Sequence, residues 1–515
     1  MAARAGTPGR AASPNRAMVT ICAMVATLMQ ALDNTIANVA LPYMQGSLSA
    51  SLDQITWVLT SYVVAAAIFT APVGWVASHF GRKRLFLVCV VGFTIASALC
   101  GLATSLGQVV AFRLLQGMFG AALVPLSQAT MLDLYPAEQR GSAMAVWGMG
   151  VMVGPILGPT LGGYLTDAYD WRWVFLINVP FGILASLGLT LFMRETPQRE
   201  GQRFDWTGFA ALSLGLGALQ LMLDRGEQQD WWHSPEIVAE LVLACLGIYL
   251  FVVHLCTADN AFIPPRIFKD VNFSAGFLIM FTIGMILLSS MALLPPYLQN
   301  LAGYSITSTG LLMAPRGVGT MLGMLIAGRI SDRVDPRLLM LGGILTITAS
   351  MWRMTDWTPD VDVQSLAVTT FTQGLGLGFV FIPLQVVAFA TLAPELRGDG
   401  TALFSLVRNV GSALGISIAS FLLTQGTQIM HARIAESATP FNRSLQTAGA
   451  FLLWNGATGP GKAALNAEVT RQASIIAYAN DFKFMLCVSL ASALLLLLLR
   501  RPPSSTACAP KMALE

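Results

Sequence analysis

Long apolar runs, separated by short clusters of charge, glycine and proline, divide this chain of 515 residues. A helix needs roughly twenty apolar residues to cross a bilayer core, and about fourteen runs meet that need. They read as 18–40, 55–77, 85–104, 108–130, 141–164, 173–193, 206–223, 237–256, 272–297, 308–328, 338–355, 365–391, 400–423 and 481–499. Within lipid only helices and closed barrels satisfy their own backbone groups, and runs of this length are helices. The expected fold class is therefore an all-α membrane protein. An internal echo divides it. Gly74–Arg84 (GWVASHFGRKR) closes the second run and Gly328–Arg337 (GRISDRVDPR) closes the tenth, each starting with Gly and ending in clustered base. This predicts two six-helix bundles, 18–193 and 272–499, with two extra membrane helices in 194–271 and tails at 1–17 and 500–515. Repeated halves are the architecture of rocking secondary transporters, which hold cargo near the midplane.

Composition agrees: 55% of residues are hydrophobic and 11% charged, against about 25% charged in soluble domains. Nineteen of the thirty Lys and Arg fall on the N-terminal side of the membrane, among them Arg82, Lys83, Arg84, Arg329, Arg333 and Arg337. The positive-inside rule then puts both termini in the cytoplasm. The first apolar run follows Arg4, Arg10 and Arg16 like a signal peptide, but it is too long and lacks a clean cleavage site, so it reads as a retained helix. The seven cysteines and four histidines form no CxxC pair and no cluster, so no metal or disulfide is expected. No phosphate-binding GxxxxGK[ST] loop is present, so neither cofactor nor ATP is expected, and no nucleic-acid partner. GxSxG and HExxH arrangements are also missing, which argues against an enzyme.

A few polar residues stand inside the apolar runs. Asp33 is nearest the middle of one, where a carboxylate costs on the order of 3 kcal/mol on insertion scales. It is a proton relay, part of an ion pathway, or a strut satisfied by Asn34, Thr35 or a neighbouring helix. Arg113 lies in the outer turns of the fourth run with Gln116 and Gly117 on its face. It either needs a carboxylate or snorkels to the interface. Arg316 falls near mid-membrane in the tenth run, and Arg408 about two turns into the thirteenth. With Asn34, Asn38, Gln116 and Gln128 they are the candidate lining of a substrate cavity, suited to neutral or anionic amphiphiles.

In the fifth run Gly150, Gly154, Gly158 and Gly162 recur every four residues, interrupted by Pro155 and Pro159. Such a stripe permits close helix approach, and each proline removes a backbone hydrogen bond, so this helix is expected to pack tightly, bend or gate. The segment from Gln425 to Asn480 is Ala/Asn/Gln/Ser-rich and lies outside. It is longer than a helix connection needs. It is either a spacer or a docking element, with a short amphipathic helix over Ala463–Tyr478.

These motifs together resemble the major facilitator superfamily, and within it the fourteen-helix drug:proton antiporters of the EmrB-type branch. The likeness covers nearly the whole chain. It rests on Leu32–Pro42 (LDNTIANVALP), Gly74–Arg84, Phe112–Gly117 (FRLLQG), Gly150–Gly163 (GVMVGPILGPTLGG), Trp171–Gly182 (WRWVFLINVPFG), Leu223–Trp231 (LDRGEQQDW) and His431–Asn442 (HARIAESATPFN). The resemblance implies the major facilitator fold, with Asp33 and Arg113 serving proton coupling. It implies gating by Gly74, Gly81 and Arg82, and control of leakage and bending by Gly150, Gly154, Pro155 and Gly158. Ser78 stands where the family's loop usually has Asp, so Asp332 and Arg333 of the second copy are expected to hold the inward gate. The implied activity is proton-driven export of toxic hydrophobic or amphiphilic compounds from the bacterial inner membrane. The implied partners are membrane lipid, small amphiphilic substrates, a periplasmic membrane-fusion adaptor and an outer-membrane channel. Charged Asp33 is then expected to favour cationic or neutral cargo while cargo and proton compete. Two other expectations are an importer or exporter of one amphiphilic metabolite, such as a fatty acid or siderophore, and a non-transporting sensor.

Overall fold

A computed structural model of the chain describes residues 16–136, 139–196, 198, 203–258, 261–331, 334–438, 454 and 458–500. Among them thirteen helices are long and apolar enough to cross a membrane, and one bent pair makes a fourteenth span. The first span is α1 (Arg16–Ser47). The second is the bent pair, α2 (Leu52–Thr70) and α3 (Val73–Phe80), then α4 (Arg82–Leu102). The fourth is α5 (Leu106–Gly120) with α6 (Leu123–Leu134), the fifth α7 (Arg140–Ala168), and the sixth α8 (Trp173–Leu176) with α9 (Asn178–Phe192). The inserted hairpin is α10 (Trp206–Arg225) and α11 (Pro235–Thr257). The second bundle comprises α12 (Val271–Pro296), α13 (Ile306–Ile330), α14 (Pro336–Thr355), α15 (Val363–Ala390), α16 (Arg397–Ser437) and α17 (Gly459–Leu495). The side where α1 starts and α17 ends is called the terminal face, and the opposite side the distal face.

Local chemistry sets many of these limits. Ser51, Ser105, Asp205, Asp270, Ser305, Asp335, Asp362 and Thr458 each cap the first turn of the helix they precede, satisfying amides that have no partner within the helix. The second span bends by 57° between its halves. Pro72 sits at the break and has no N–H to continue the ladder. Pro125 leaves the Ala121 carbonyl without its usual helical donor, and the Thr70 hydroxyl approaches that oxygen at 3.4 Å.

The two halves repeat one pairing scheme. In the first, α1 packs on α7, α2 on α5 and α4 on α9; in the second, α12 packs on α16, α13 on α15 and α14 on α17. Two seams join the bundles, α7 with α13, and α2 and α3 with α16. Helix α10 packs on both α2 and α16 and so covers the second seam. Its partner α11 exposes Val242, Leu246, Tyr249 and Val253, an apolar face suited to lipid.

The distal segment departs from the spacer expectation. Helix α16 continues unbroken to Ser437, and α17 begins at Gly459, well before the apolar stretch. Described parts of Gln425–Asn480 are thus helical extensions of two spans. Gly426 meets Ala477, and His431 shares a 3.0 Å hydrogen bond with Asn466 higher up. Apolar length reports only what lipid touches. Ala-rich polar sequence extends a helix beyond the membrane without registering as a span.

Candidate functional site

Asp33 lies on the face of α1 turned into the first bundle and is 1% exposed. One oxygen, Oδ2, accepts from Arg113 Nη1 at 2.6 Å. The other, Oδ1, accepts from Gln116 Nε2 at 2.8 Å and from Asn178 Nδ2 at 3.0 Å. All three neighbours donate, and an acceptor-only carboxylate is the form that fits them. Gln116 also accepts from Arg113 Nη1 at 2.8 Å, so its amide is oriented by a donor on one side and an acceptor on the other. Arg113 donates Nε to the Val58 carbonyl at 3.0 Å and lies over the Tyr62 ring, 4.2 Å from its centroid. Asn178 further donates to Ser97 Oγ, which donates to the Phe175 carbonyl. The cluster draws on α1, α2, α4, α5, α8 and α9, and it closes the interior of the first bundle with a neutral ion pair.

This placement revises three expectations. Arg113 is buried and paired, so it does not snorkel. Gln116 belongs to the carboxylate cluster and does not line an open cavity. Asp33 is buried and its charge is met by Arg113, so it presents no charge to cargo by contact. Asn178 is the member of this cluster that the sequence alone does not single out. A lone amide in the apolar run WVFLINVPFG was the available signal.

The other polar candidates lie elsewhere. Gln128 donates to Gln385 of the second bundle, and Trp147 stacks on Phe381 beside it. Asn34 is half-buried and Asn38 exposed, with Asn38 Nδ2 donating to the Asn34 carbonyl. Arg316 is 6% exposed; its Nη2 donates to the Leu287 carbonyl and Ser290 Oγ, each at 3.0 Å. Its Nη1 has no partner. Arg408 is half-buried and borders the same helix α12, where its carbonyl leaves room only for Gly284. Among the described residues neither arginine has a carboxylate partner.

The glycine stripe of α7 seats α1. Gly150 faces Met24, Gly154 faces Ala31, Gly158 faces Thr35 and Gly162 faces Ile36. A Cβ on Gly154 would lie 2.6 Å from that of Ala31, and the Thr35 hydroxyl reaches the Gly154 carbonyl at 3.3 Å. Pro155, half-buried, follows in the same continuous helix.

At the terminal face Gly74 packs against the backbone of Asp399 at the start of α16. Gly81 has φ of +92°, a left-handed conformation that glycine adopts freely. Just past it, Glu195 accepts from the Lys83 and Arg84 amides, placing a carboxylate on the N-terminus of α4. Ser78 donates to the Trp75 carbonyl within its own helix. Asp332 and Arg333 lie outside the described residues. A charge contact between the bundles comes from Asp133, which accepts from Arg82 at 2.6 Å and from Arg397 of α16 at 3.0 Å. The sequence reading missed it because a carboxylate at the end of an apolar run looks like an ordinary interfacial charge.

Partly exposed pairs of this kind are worth about 0.2–1 kcal/mol each. Only the Arg397 pair crosses the bundles, so Asp133→Asn is expected to weaken the terminal-face contact by up to about 1 kcal/mol, or up to roughly fivefold in the closed-to-open ratio. Distances between spin labels at Ser142 and Val334, on a cysteine-free background, check this. An unchanged distribution assigns the contact no role in closure.

The chain matches the family model described as Major Facilitator Superfamily over residues 23–416 and 273–513. It belongs to that superfamily of membrane transporters. It is 39% identical over 432 residues to multidrug export protein EmrB of Escherichia coli (strain K12), covering 83% of this chain and 84% of that protein. It is 35% identical to fatty acid resistance protein FarB of Neisseria gonorrhoeae, covering 89% and 91%. Among solved structures, the proton:xylose symporter XylE has a TM-score of 0.59 at 14% identity, covering 93% of this chain and 94% of that one, which supports the shared fold.

Proposed function

We propose that this protein is a proton-coupled antiporter that exports hydrophobic or amphiphilic toxic compounds across a bacterial inner membrane. Both termini lie in the cytoplasm. Its relatives' names favour export, and the charge asymmetry supports the orientation. The observation that carries proton coupling is the buried Asp33–Arg113 pair. If Asp33 gains a proton, Arg113 keeps Val58, Gln116 and Tyr62 but loses its counter-ion, so loading has to go with a rearrangement that opens the cluster to water. Loading changes the bundle core from neutral to one positive charge. A membrane potential acts on such a charge with about 2.3 kcal/mol per 100 mV, and the pH gradient adds to it.

Cargo binds between the bundles. Arg316 and Arg408, without carboxylate partners, favour neutral or anionic headgroups over cationic ones, and the name of the FarB relative points the same way. The contacts that join the bundles near the terminal face, Asp133–Arg397 and Gly74–Asp399, fit an arrangement closed to the cytoplasm. We extend the reading to a tripartite system, in which a periplasmic adaptor and an outer-membrane channel continue the route.

Whole-cell accumulation separates this from uptake. Cells expressing the protein are expected to gain a lipophilic dye when an uncoupler is added. Loss of dye on uncoupling would instead indicate an importer of a specific amphiphile. Adaptor co-purification should fall when the helical extension above the membrane is shortened.

A further inference from the structure

A second acid lies in the other bundle. Asp481 sits on the inner stripe of α17, between Ala477 and Met485, and is 1% exposed. Its Oδ2 has no hydrogen-bond partner. Among the described residues no Arg, Lys or His forms an ion pair with it. The residue next to it in sequence belongs to an aromatic cluster. Phe482 on its own helix lies 6.0 Å from Trp357 and 6.4 Å from Tyr297, and Tyr297 lies 5.3 Å from Tyr478.

The contrast with Asp33 is chemical. Asp33 is saturated by three N–H donors, which suits the ionised form. Asp481 has an orphan oxygen in the protein interior, and an unpaired buried carboxylate costs several kcal/mol. The titratable groups near it on α17 are Tyr478 and the exposed Lys483, and Tyr297 beyond α12 packs on Tyr478. The Tyr297 hydroxyl is committed to the Thr358 carbonyl at 3.0 Å. Helix α14 contributes the exposed Arg353; α16 contributes Arg408, without a carboxylate partner, and His431, bonded to Asn466 on the distal extension.

We propose that Asp481 is a second proton-binding site, located in the second bundle and neutral in the conformation described here. It gives up its proton to water that reaches the orphan oxygen when the bundle rocks. Proton binding at Asp481 stands on its own geometry; its coupling to transport rests on the proton-driven export proposed above. With both carboxyls loaded, a cycle moves two protons, not one.

Infrared difference spectroscopy of the full chain in nanodiscs, titrated from acid to alkaline pH, tests this. The wild type should show a protonated-carboxyl C=O band that Asp481→Asn removes and Asp33→Asn leaves in place. Asp481→Glu should move the band, and it serves if the Asn variant fails to fold. In proteoliposomes the reversal gradient for a lipophilic dye should report one proton fewer per dye in Asp481→Asn. A band unaltered in both Asp481 variants overturns the site. Loss of the band with unchanged stoichiometry also overturns the two-proton cycle, while leaving export driven through Asp33 intact.

Discussion

Asp33→Asn is expected to abolish transport driven by a pH gradient while the protein still reaches the membrane at reduced stability. The three groups around Asp33 all donate hydrogen, and an asparagine has one acceptor oxygen and an NH2 that must face one of them. Arg113 is then left as a buried cation without its counter-ion. Breaking a buried pair by removing one partner costs about 3–5 kcal/mol. Part of that loss is recoverable. Asp33→Asn combined with Arg113→Gln removes the orphan charge, so thermal stability should rise again relative to the single variant, while pH-driven flux stays absent. Proteoliposomes with an imposed pH gradient and a lipophilic dye give the readout. Full flux in the single variant would falsify the assignment of Asp33.

Gly154→Leu is the second large effect. The α1–α7 contact leaves no room beyond the glycine backbone: the Ala31 carbonyl carbon and Leu32 amide would lie 2.8 and 2.9 Å from an added Cβ. Overpacking of this kind typically costs 1–3 kcal/mol, sometimes more, and here it wedges apart two helices of the first bundle. Transport is expected to fall at least tenfold, with Gly154→Ala intermediate. Gly163 on the same helix has nothing within 4 Å of its would-be Cβ, so Gly163→Leu should transport normally. Equal loss in both variants would assign the effect to helix propensity or insertion and not to the α1–α7 contact.

Much of this molecule was legible because lipid imposes a coarse code. Apolar length gave the spans, and the two basic turns gave the halves. Asp33 and Arg113 stood out because a charge in an apolar run is costly. Their pairing was not legible on the residues alone: they are 80 positions apart, and only helix packing brings them together. The same holds for Gln116, whose side chain turns toward Asp33 because α5 faces α1 there. Asp133 and Arg397 were not singled out, because they flank apolar runs and their meeting needs the two bundles in register. Asp481 fell at the edge of its expected span. It moved inside the protein because α17 starts 22 residues earlier, at Gly459.

The unbroken length of α16 has a mechanical consequence. From Arg408, beside the midpoint of α12, to Ser437 the helix advances 29 residues, or about 44 Å. Braced by α17, such a rod acts as a pointer. Each degree of tilt at its root sweeps its tip through about 0.8 Å. Whatever sits on that tip outside the membrane would feel the stroke of the second bundle as a displacement, without any signal passing through lipid.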